Sequence, residues 1–431
     1  MSVQSQGKAY QTGGGSARFL LVVLSLLWMI NWMDRQVMSA VLEPMMTELN
    51  LTDTQGGWLH TVFLLSASLF SLPVAYLIDR WSRRKAVAIM AVFWSAFTFV
   101  TGLGRNFLTV FIPRTMVGVG EAGYSAGGTA MITAAYPAEK RGTAMGVFNI
   151  FVPLGAALGY IMGGYLSTHY GGWRTPFYVF AVPGIILGIL ALFLKDYKTV
   201  EAVEETGGER PGFIESAKAV LKVPTLRWLY IGHAMHNIMA VAVLVWLPTF
   251  LIRAHDVTEA KAGMTVGVIS LMAIIGSPLG GILADRWQKK NPRGRMLVPV
   301  VGDVLSAALL IPGLLLDVEG AGLYLMFAFG IFLMMGLPSI HTITQDVVTP
   351  GLKGVSWGMT VLAIYLLGGA WAPMAVGAIS DGLGADADAL RTAIIIAGCA
   401  GFLASLLFFI GSRNYPSDVE KVKHSVLEAE K

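Results

Sequence analysis

Long apolar stretches, separated by short polar segments, run along almost the whole chain. Twelve of them reach the length of about 20 residues that an α-helix needs to cross the hydrocarbon core of a bilayer. They lie at residues 18–46, 54–78, 84–104, 107–136, 140–168, 173–194, 224–253, 258–284, 295–316, 320–348, 352–380 and 390–412. The strands of a membrane barrel would instead alternate apolar and polar residues over about ten positions. The pattern therefore predicts an all-α integral membrane protein with twelve transmembrane helices.

The composition points to the same class. The chain is 55% hydrophobic and only 13% charged, whereas a soluble domain carries about 25% charged residues. A single cysteine, Cys399, excludes an internal disulfide framework and a cysteine-based zinc cluster. The net charge of +4 is explained by basic loops that face an anionic leaflet, so we expect no nucleic-acid partner. The polar start lacks the apolar core and cleavage site of a signal peptide.

The distribution of Lys and Arg predicts the orientation. With both termini in the cytoplasm, 24 of the 31 basic residues fall in the inside segments, five fall in the outside loops and two lie within spans. Basic residues favour the cytoplasmic side of a membrane. We therefore expect both termini to be cytoplasmic, in a multi-pass protein of the plasma (inner) membrane.

A charged break near the middle divides the chain into two sets of six spans. We predict a cytoplasmic polar tail at 1–17, an N-terminal bundle at 18–194, a cytoplasmic linker at 195–223, a C-terminal bundle at 224–412 and a cytoplasmic tail at 413–431. The linker contains FIESAKAVLKV, whose apolar spacing fits an amphipathic helix on the membrane surface. The alternative is a simple tether.

The two halves repeat each other. AYLIDRWSRRK in the first half returns as GILADRWQKK in the second, and Asp79 and Asp285 lie 206 positions apart, as do Asn31 and Asn237. Repeated halves that enclose a site near the membrane midplane are a transporter architecture.

Charged residues inside the predicted spans are the main functional candidates, since ionisable groups in a membrane are costly. In the first span, Asn31, Asp34 and Arg35 share a helix face, and in the fourth, Arg114, Glu121 and Ser125 do so. We expect both faces to line a cavity. A pairing of Asp34 with Arg114, or of Arg35 with Glu121, would offset the desolvation of the charges.

These charges suggest specific roles. Arg35 and Arg114 would bind an anionic head group, and Asp34 or Glu121 would carry the transported proton, because burial favours the neutral form of a carboxyl group and a nearby Arg favours the charged form. The alternative is a fixed salt-bridge network that only holds the first and fourth helices together.

The seventh span adds further polar candidates. Asn237 is expected to face the cavity by its repeat position opposite Asn31, and His236 is a second cavity candidate. His titrates near physiological pH, so His233 and His236 suit a coupling role, although hydrogen-bonded packing is the alternative. His341 and Asp303 are further polar residues within spans.

The repeated loop motif resembles the major facilitator superfamily, whose signature is G-x-x-x-D-R-x-G-R-R/K. Ala75 and Ser82 replace its two glycines in the first copy, and Gln288 replaces one in the second. The resemblance implies alternating access and a cytoplasmic charge network that closes one gate. The residues of this network are Asp79, Arg80, Arg83, Arg84, Asp285 and Arg286.

Within that superfamily, NWMDRQVMSAVL, RTMVGVGEAGYSAGGT and FNIFVPLGAALGYIMGG resemble the Spinster branch. This resemblance implies a lipid cargo, such as a lysophospholipid or sphingosine phosphate, and proton coupling. The fifth span also resembles the superfamily's antiporter motif through Gly146, Gly155, Gly159, Gly163 and Gly164, with Tyr160 in place of its proline. Close packing of small residues is the alternative reading of these glycines.

We therefore predict a secondary active transporter of an amphipathic anionic lipid, working as a monomer among membrane lipids. No ATP site, metal site or other cofactor is expected, and the proton gradient would supply the energy. A carrier of small organic anions such as sugar acids, or of amphipathic drugs, is the main alternative. A non-transporting sensor and a membrane enzyme are others, although the chain lacks H-E-x-x-H, G-x-S-x-G and Walker-type motifs.

Overall fold

A computed structural model describes residues 13–196, 213–316 and 320–429. Their regular structure is entirely helical, and no strand occurs within these ranges. The helices of the first half are α1 (Gly14–Ala40), α2 (Leu42–Leu49), α3 (Asp53–Arg80), α4 (Arg83–Gly102), α5 (Phe107–Glu121), α6 (Tyr124–Ala135), α7 (Ala138–His169) and α8 (Thr175–Ala191).

A linker helix, α9 (Phe213–Lys222), stands between the halves. The second half contains α10 (Pro224–His255), α11 (Glu259–Leu271), α12 (Ala273–Lys290), α13 (Gly294–Leu315), α14 (Ala321–Met335), α15 (Leu337–Asp346), α16 (Lys353–Ile364), α17 (Ala372–Leu383), α18 (Ala387–Gly398), α19 (Ala400–Gly411) and α20 (Tyr415–Ala429). A 3₁₀ turn at Pro350–Leu352 precedes α16, and a π-helical turn at Tyr365–Gly369 joins α16 to α17.

The predicted all-α membrane class is confirmed. Within the described ranges, nine helical stretches are long and apolar enough to cross a membrane, and Thr175–Ala191 is a shorter apolar helix. The count of twelve spans and the orientation stay predictions. The helix at Phe213–Lys222 lies where the sequence suggested an amphipathic segment. Most of the predicted tail at 1–17, and residues 197–212 of the predicted linker, lie outside the described ranges.

Several predicted spans consist of two helices in series. The fourth span is divided between Glu121 and Tyr124, so that α5 ends inside the apolar stretch and α6 continues it. Similar breaks separate α11 from α12 and α14 from α15. Broken helices are tolerated in a membrane where neighbouring helices satisfy the freed backbone groups. The break after Glu121 matters most here, because it places a carboxylate at a helix end.

The two ends of the helix bundle differ in how the halves meet. We call the end that holds Gly14, Ser82, Pro224 and Gly294 the near end, and the end that holds Asp53 the far end. At the far end, α7 packs against α11, and α3 packs against α17. The distribution of Lys and Arg predicts that the near end is cytoplasmic.

Glycines allow this far-end contact. A Cβ placed at Gly164 would lie 2.1 Å from the carbonyl oxygen of Glu259, and one at Gly377 would lie 2.2 Å from that of Asp53. Each glycine thus lets two backbones from opposite halves touch, and the two occupy corresponding places in the repeat. Gly142 and Gly146, at the near end of α7, would meet nothing within 4 Å. The halves are therefore closed together at the far end.

Most glycines of the fifth span hold α7 against α1. A Cβ at Gly155 would lie 2.5 Å from the Met29 carbonyl oxygen, and one at Gly159 would lie 2.7 Å from that of Met33. Gly163 lies in looser contact with Val37 and Ala40 of α1. In this conformation, close packing accounts for these glycines.

We predict that Gly159→Ala destabilises the protein by about 1–3 kcal/mol, because the added methyl group forces α7 away from α1. Gly146→Ala is the matched control on the same helix and should leave stability unchanged within about 0.5 kcal/mol. Thermal unfolding of the purified variants in detergent measures both. An equal loss of stability in the two variants would contradict the packing role of Gly159.

Candidate functional site

Five ionisable side chains from α1, α3 and α5 come together inside the first half. We call this group, which consists of Asp34, Arg35, His60, Arg114 and Glu121, the N-half cluster. Asp34 and Arg114 are 0% exposed and Glu121 is 3% exposed. Arg35 is the most accessible member, with 16% of its side chain exposed. Charges buried to this degree need partners that offset their lost hydration.

Arg35 and Glu121 form a direct ion pair between α1 and α5. The Arg35 Nε donates to Glu121 Oε2 at 2.8 Å. Because Glu121 is the last residue of α5, its carboxylate lies at the negative end of the helix dipole, which disfavours it. Arg35 offsets both this repulsion and the loss of water. The predicted pairing of these two residues is thus present in the structure.

Asp34 and Arg114 are neighbours but do not form a direct side-chain pair. The Arg114 Nη1 lies 3.5 Å from the backbone oxygen of Asp34, and Thr98 donates to Asp34 Oδ2 at 3.3 Å. The other carboxylate oxygen of Asp34 has no hydrogen-bond partner in the described part of the chain. Of the two alternative pairings from the sequence, the structure thus forms Arg35–Glu121.

Several donors in the same place also lack partners. Among the described residues, Arg114 Nε and Nη2 and His60 Nε2 make no hydrogen bond, and the buried Asn31 amide has the Glu121 carboxylate as its polar neighbour. The Arg114 guanidinium lies 4.7 Å from the centre of the Phe63 ring, a cation–π contact that compensates only part of the lost hydration. Buried polar groups are normally paired, so this concentration of unpaired ones indicates a binding site.

His60 was missed by the sequence analysis. It lies on α3, is 4% exposed, and is within electrostatic range of the Arg114 guanidinium. The available signal was simple, because His60 is an ionisable residue inside the second predicted span. Its proximity to the first and fourth spans could not be read from the sequence.

The remaining predicted cavity residues are dispersed. Ser125 is exposed and lies on α6, beyond the break that follows Glu121. In the second half, His236 is buried against Asp303 of α13, and Asn237 packs against the π-helical turn at Gly369. The structure thus brings Asn31, Asp34, Arg35, Arg114 and Glu121 together, whereas His236 belongs to a separate group.

The predicted cytoplasmic gate residues lie at the near end. The side chains of Asp79 and Arg80 fall outside the described part of the structure. Arg84 donates to the Leu194 carbonyl at 3.3 Å, within its own half. In the second copy, Asp285 lies 3.4 Å from Arg295. Arg83 and Arg286 stand beside these residues in each motif, and the gate role of the six residues stays a prediction.

At the far end, a charged group that the sequence analysis missed connects the two halves. We call Glu43, Asp53, Arg253 and Asp381 the far-end latch. Arg253 of α10 binds both oxygens of Asp53, at 2.7 and 2.9 Å, and also Glu43 at 2.9 Å. Such bidentate charged contacts are strong. From sequence, Arg253 was only one of five basic residues in outside loops, and its partners lie 200 or more positions away.

Asp381 completes the latch by capping a helix of the other half. Its carboxylate accepts the backbone N–H groups of Asp53 and Thr54, at 3.1 and 2.8 Å. These are the first two residues of α3, where unpaired N–H groups favour a negative charge. The latch thus uses an arginine and a helix N-terminus to hold the far end shut.

The architecture is that of a polytopic membrane protein made of two helical bundles, with a polar site inside the first and a latch between them. The family model of the major facilitator superfamily matches residues 24–373, and the chain belongs to this superfamily.

The relatives identify the branch. The chain is 28% identical to protein spinster homolog 1 of Xenopus laevis over 392 residues, which cover 86% of this chain and 74% of that protein. It is 27% identical to protein spinster of Drosophila melanogaster, covering 86% of this chain and 63% of the relative. The Spinster resemblance predicted from the sequence is confirmed, and the chain is a transporter of the Spinster type.

Solved structures share the fold. A bacterial homologue of the human lysosomal transporter Spinster, in an inward-facing and unoccupied conformation, matches with a TM-score of 0.84 at 22% identity, over 94% of this chain and 99% of that one. A D-xylose–proton symporter matches with a TM-score of 0.70 at 17% identity, over 91% of this chain and 97% of that one. At these identities the likeness concerns the fold.

We predict that Arg253→Gln opens the far end, because it removes three charged hydrogen bonds between the halves. A loss of about 2 kcal/mol would raise the ratio of open to closed molecules about 30-fold. Arg391→Gln is the matched control, since Arg391 pairs with Asp388 within the second half.

Spin labels at Arg105→Cys and Leu383→Cys, in a Cys399→Ser background, place one exposed reporter in each half at the far end. The Arg253→Gln protein should gain a longer interspin distance that the Arg391→Gln protein lacks. Identical distance distributions in the two variants would show that the latch does not control closure.

Proposed function

We propose that this protein is a secondary active transporter of an amphipathic anionic lipid, of the lysophospholipid or sphingosine phosphate type, that works by alternating access and is coupled to protons. The prediction of an anionic head group rests on the buried, unpaired nitrogen atoms of Arg114 and His60. An anionic head group would pair with them and recover the free energy that their burial costs. Arg35, the accessible member of the cluster, would make first contact.

The aromatic surroundings support an amphipathic cargo. Trp28 stacks on Tyr124 and on Phe148, with ring centres 5.5 and 5.7 Å apart, and Trp32 lies 5.0 Å from the Arg35 guanidinium. Trp28, Tyr124 and Phe148 are buried, so an apolar chain would contact the half-buried surface of Trp32 beside the polar donors. The choice of a lipid over a smaller anion rests on this surface and on the likeness to Spinster proteins.

The conformation supports alternating access. The far-end latch is closed, while α7 has no neighbours at Gly142 and Gly146 of the near end. With both termini cytoplasmic, this is the state that opens to the cytoplasm. Rocking of the two bundles would break the latch and bring the near-end charges of the two repeats together. We place the protein in the inner membrane as a monomer.

The ion pair supplies a route to coupling. A cargo anion that pairs with Arg35 would leave Glu121 without its cationic partner. A cargo anion that pairs with Arg114 would likewise draw a cation away from Asp34. A buried carboxylate that loses its cationic partner is easier to protonate. Binding of the cargo and binding of the proton would therefore favour each other, and a proton gradient would drive transport.

We predict that Asp34→Asn and Glu121→Gln each reduce the part of transport that depends on a pH gradient by tenfold or more. A tenfold loss of rate corresponds to about 1.4 kcal/mol. Each removes a carboxylate from the cluster while keeping the size of the side chain. Uptake of a fluorescent lysophospholipid into proteoliposomes, with and without an imposed pH gradient, measures the effect. Asp388→Asn, which alters an exposed ion pair at the far end, is the control.

If both cluster variants keep the full response to the gradient, the coupling role of these residues is wrong. The cargo is tested separately by binding of lysophospholipids, sphingosine phosphate and sugar acids to the purified protein. Binding of the lipids, lost in Arg114→Gln, supports the proposal. Binding of the sugar acids alone would show that the cargo is a small organic anion and not a lipid.

A further inference from the structure

The second half contains its own buried charged pair, which the transport proposal does not use. The His236 Nδ1 of α10 and Asp303 Oδ1 of α13 lie 2.7 Å apart. His236 is 2% exposed and Asp303 is 1% exposed. A carboxylate at this depth is costly unless its charge is shared, and one neutral imidazole N–H compensates only part of that cost.

The pair also leaves hydrogen-bonding capacity unused. Within the described residues, Asp303 Oδ2 and His233 Nδ1 have no partner. The rings of His233 and His236 are 5.7 Å apart, one helical turn from each other on α10. A pair that served only to join α10 to α13 would not need an open carboxylate oxygen or a second unpaired imidazole. The arrangement can accept a proton at Asp303 Oδ2 without breaking the existing contact.

A third histidine lies within electrostatic range of His233. His341 on α15 is exposed, packs edge-on against Trp357 with ring centres 4.4 Å apart, and acts electrostatically on His233. An exposed imidazole thus lies within electrostatic range of His233, which stands one turn from His236 on α10. A neutral imidazole can accept a proton on one ring nitrogen and release one from the other, which suits these side chains to pass a proton on.

Among the described residues, histidines are the ionisable groups that act on Asp303 and on His233. His236 is the ionisable group that acts on Asp303, and His236 and His341 are those that act on His233. The helices α14 and α19, which pack against α13, carry no acidic, basic or histidine residue. The remaining charged residues of the packed helices lie towards helix ends, on α2, α9 or α20, or, on α1, in the N-half cluster. They are Arg18, Asp34 and Arg35 on α1, Glu43 and Glu48 on α2, Glu215, Lys218 and Lys222 on α9, Arg227, Arg253 and His255 on α10, Glu259 and Lys261 on α11, Asp285, Arg286, Lys289 and Lys290 on α12, Arg295 on α13, Asp346 on α15, Lys353 on α16, Asp381 on α17, Asp388 and Arg391 on α18, and Asp418, Glu420, Lys421, Lys423, His424 and Glu428 on α20.

We infer that the His236–Asp303 pair is a second proton-binding site, located in the C-terminal half. With a neutral His236 that donates its Nδ1 proton to Asp303, the pair carries one negative charge. One added proton, received through His341 and His233 and held on Asp303 Oδ2, makes the pair neutral. The apolar interior favours this neutral form. The inference does not depend on the cargo, because it concerns a proton site outside the N-half cluster.

The experiment uses the full chain in lipid nanodiscs, with Asp34→Asn and Glu121→Gln as a background that silences the carboxyls of the N-half cluster. Infrared spectra recorded between about pH 5 and about pH 9 follow the carbonyl stretch of protonated carboxyl groups. Exposed carboxyl groups titrate below this pH range, so the spectra report on buried ones. No cargo is added, so failure here leaves the transport proposal untouched. We expect one buried carboxyl band that titrates in this range and disappears in Asp303→Asn.

Two further variants keep the test decisive if Asp303→Asn does not fold. His236→Gln retains Asp303 but replaces the imidazole by a group that cannot share positive charge, and should move the midpoint of the band upwards by about one pH unit. Ser306→Ala, one turn along α13, is a packing control and should leave the band unchanged. The absence of a titrating band in the background protein, or a band that neither His236→Gln nor Asp303→Asn affects, would overturn the inference.

Discussion

The ion pair between Arg35 and Glu121 joins α1 to α5 inside an apolar interior, where an unpaired charge costs several kcal/mol. The other features of the N-half cluster depend on it. Glu121 can lie at the end of α5, against the helix dipole, because Arg35 neutralises it. With Arg35 held in this pair, the Arg114 guanidinium lies 3.5 Å from a backbone oxygen and against an aromatic ring. It is near the Asp34 and Glu121 carboxylates but, among the described residues, has no direct hydrogen bond to either. The cluster is thus balanced in charge but incomplete in hydrogen bonds.

The two halves of the chain contact each other at the far end. Backbone contacts at Gly164 and Gly377 bring α7 to α11 and α17 to α3, and the latch of Arg253 and Asp381 adds charged bonds at the same end. The contacts are paired by the internal repeat, so each half supplies a matching part. Closure at one end is what one state of an alternating-access cycle requires, and the polar site lies inside the first half.

The sequence was sufficient for the fold class, the superfamily and the main members of the cluster. Apolar length predicts membrane helices, and helical spacing placed Asn31, Asp34 and Arg35 on one face. It could not predict which arginine pairs with which carboxylate, because that depends on the relative rotation of α1 and α5. The His236–Asp303 contact depends on the packing of α10 against α13. The latch could not be predicted, because Arg253 and Asp53 lie 200 positions apart and each resembles an ordinary loop charge in the sequence. Only the fold brings their two helix ends together.

The central claim is that the buried charges of α1 and α5 serve transport and not the stability of the fold. Replacing both members of the ion pair by apolar residues of similar size, Arg35→Met with Glu121→Leu, tests it directly, since such exchanges of buried ion pairs are often neutral or stabilising. We predict a thermal unfolding midpoint that is unchanged or raised, together with loss of gradient-driven lysophospholipid flux in proteoliposomes. A double variant that still transports at the normal rate, or that no longer folds, would contradict the account.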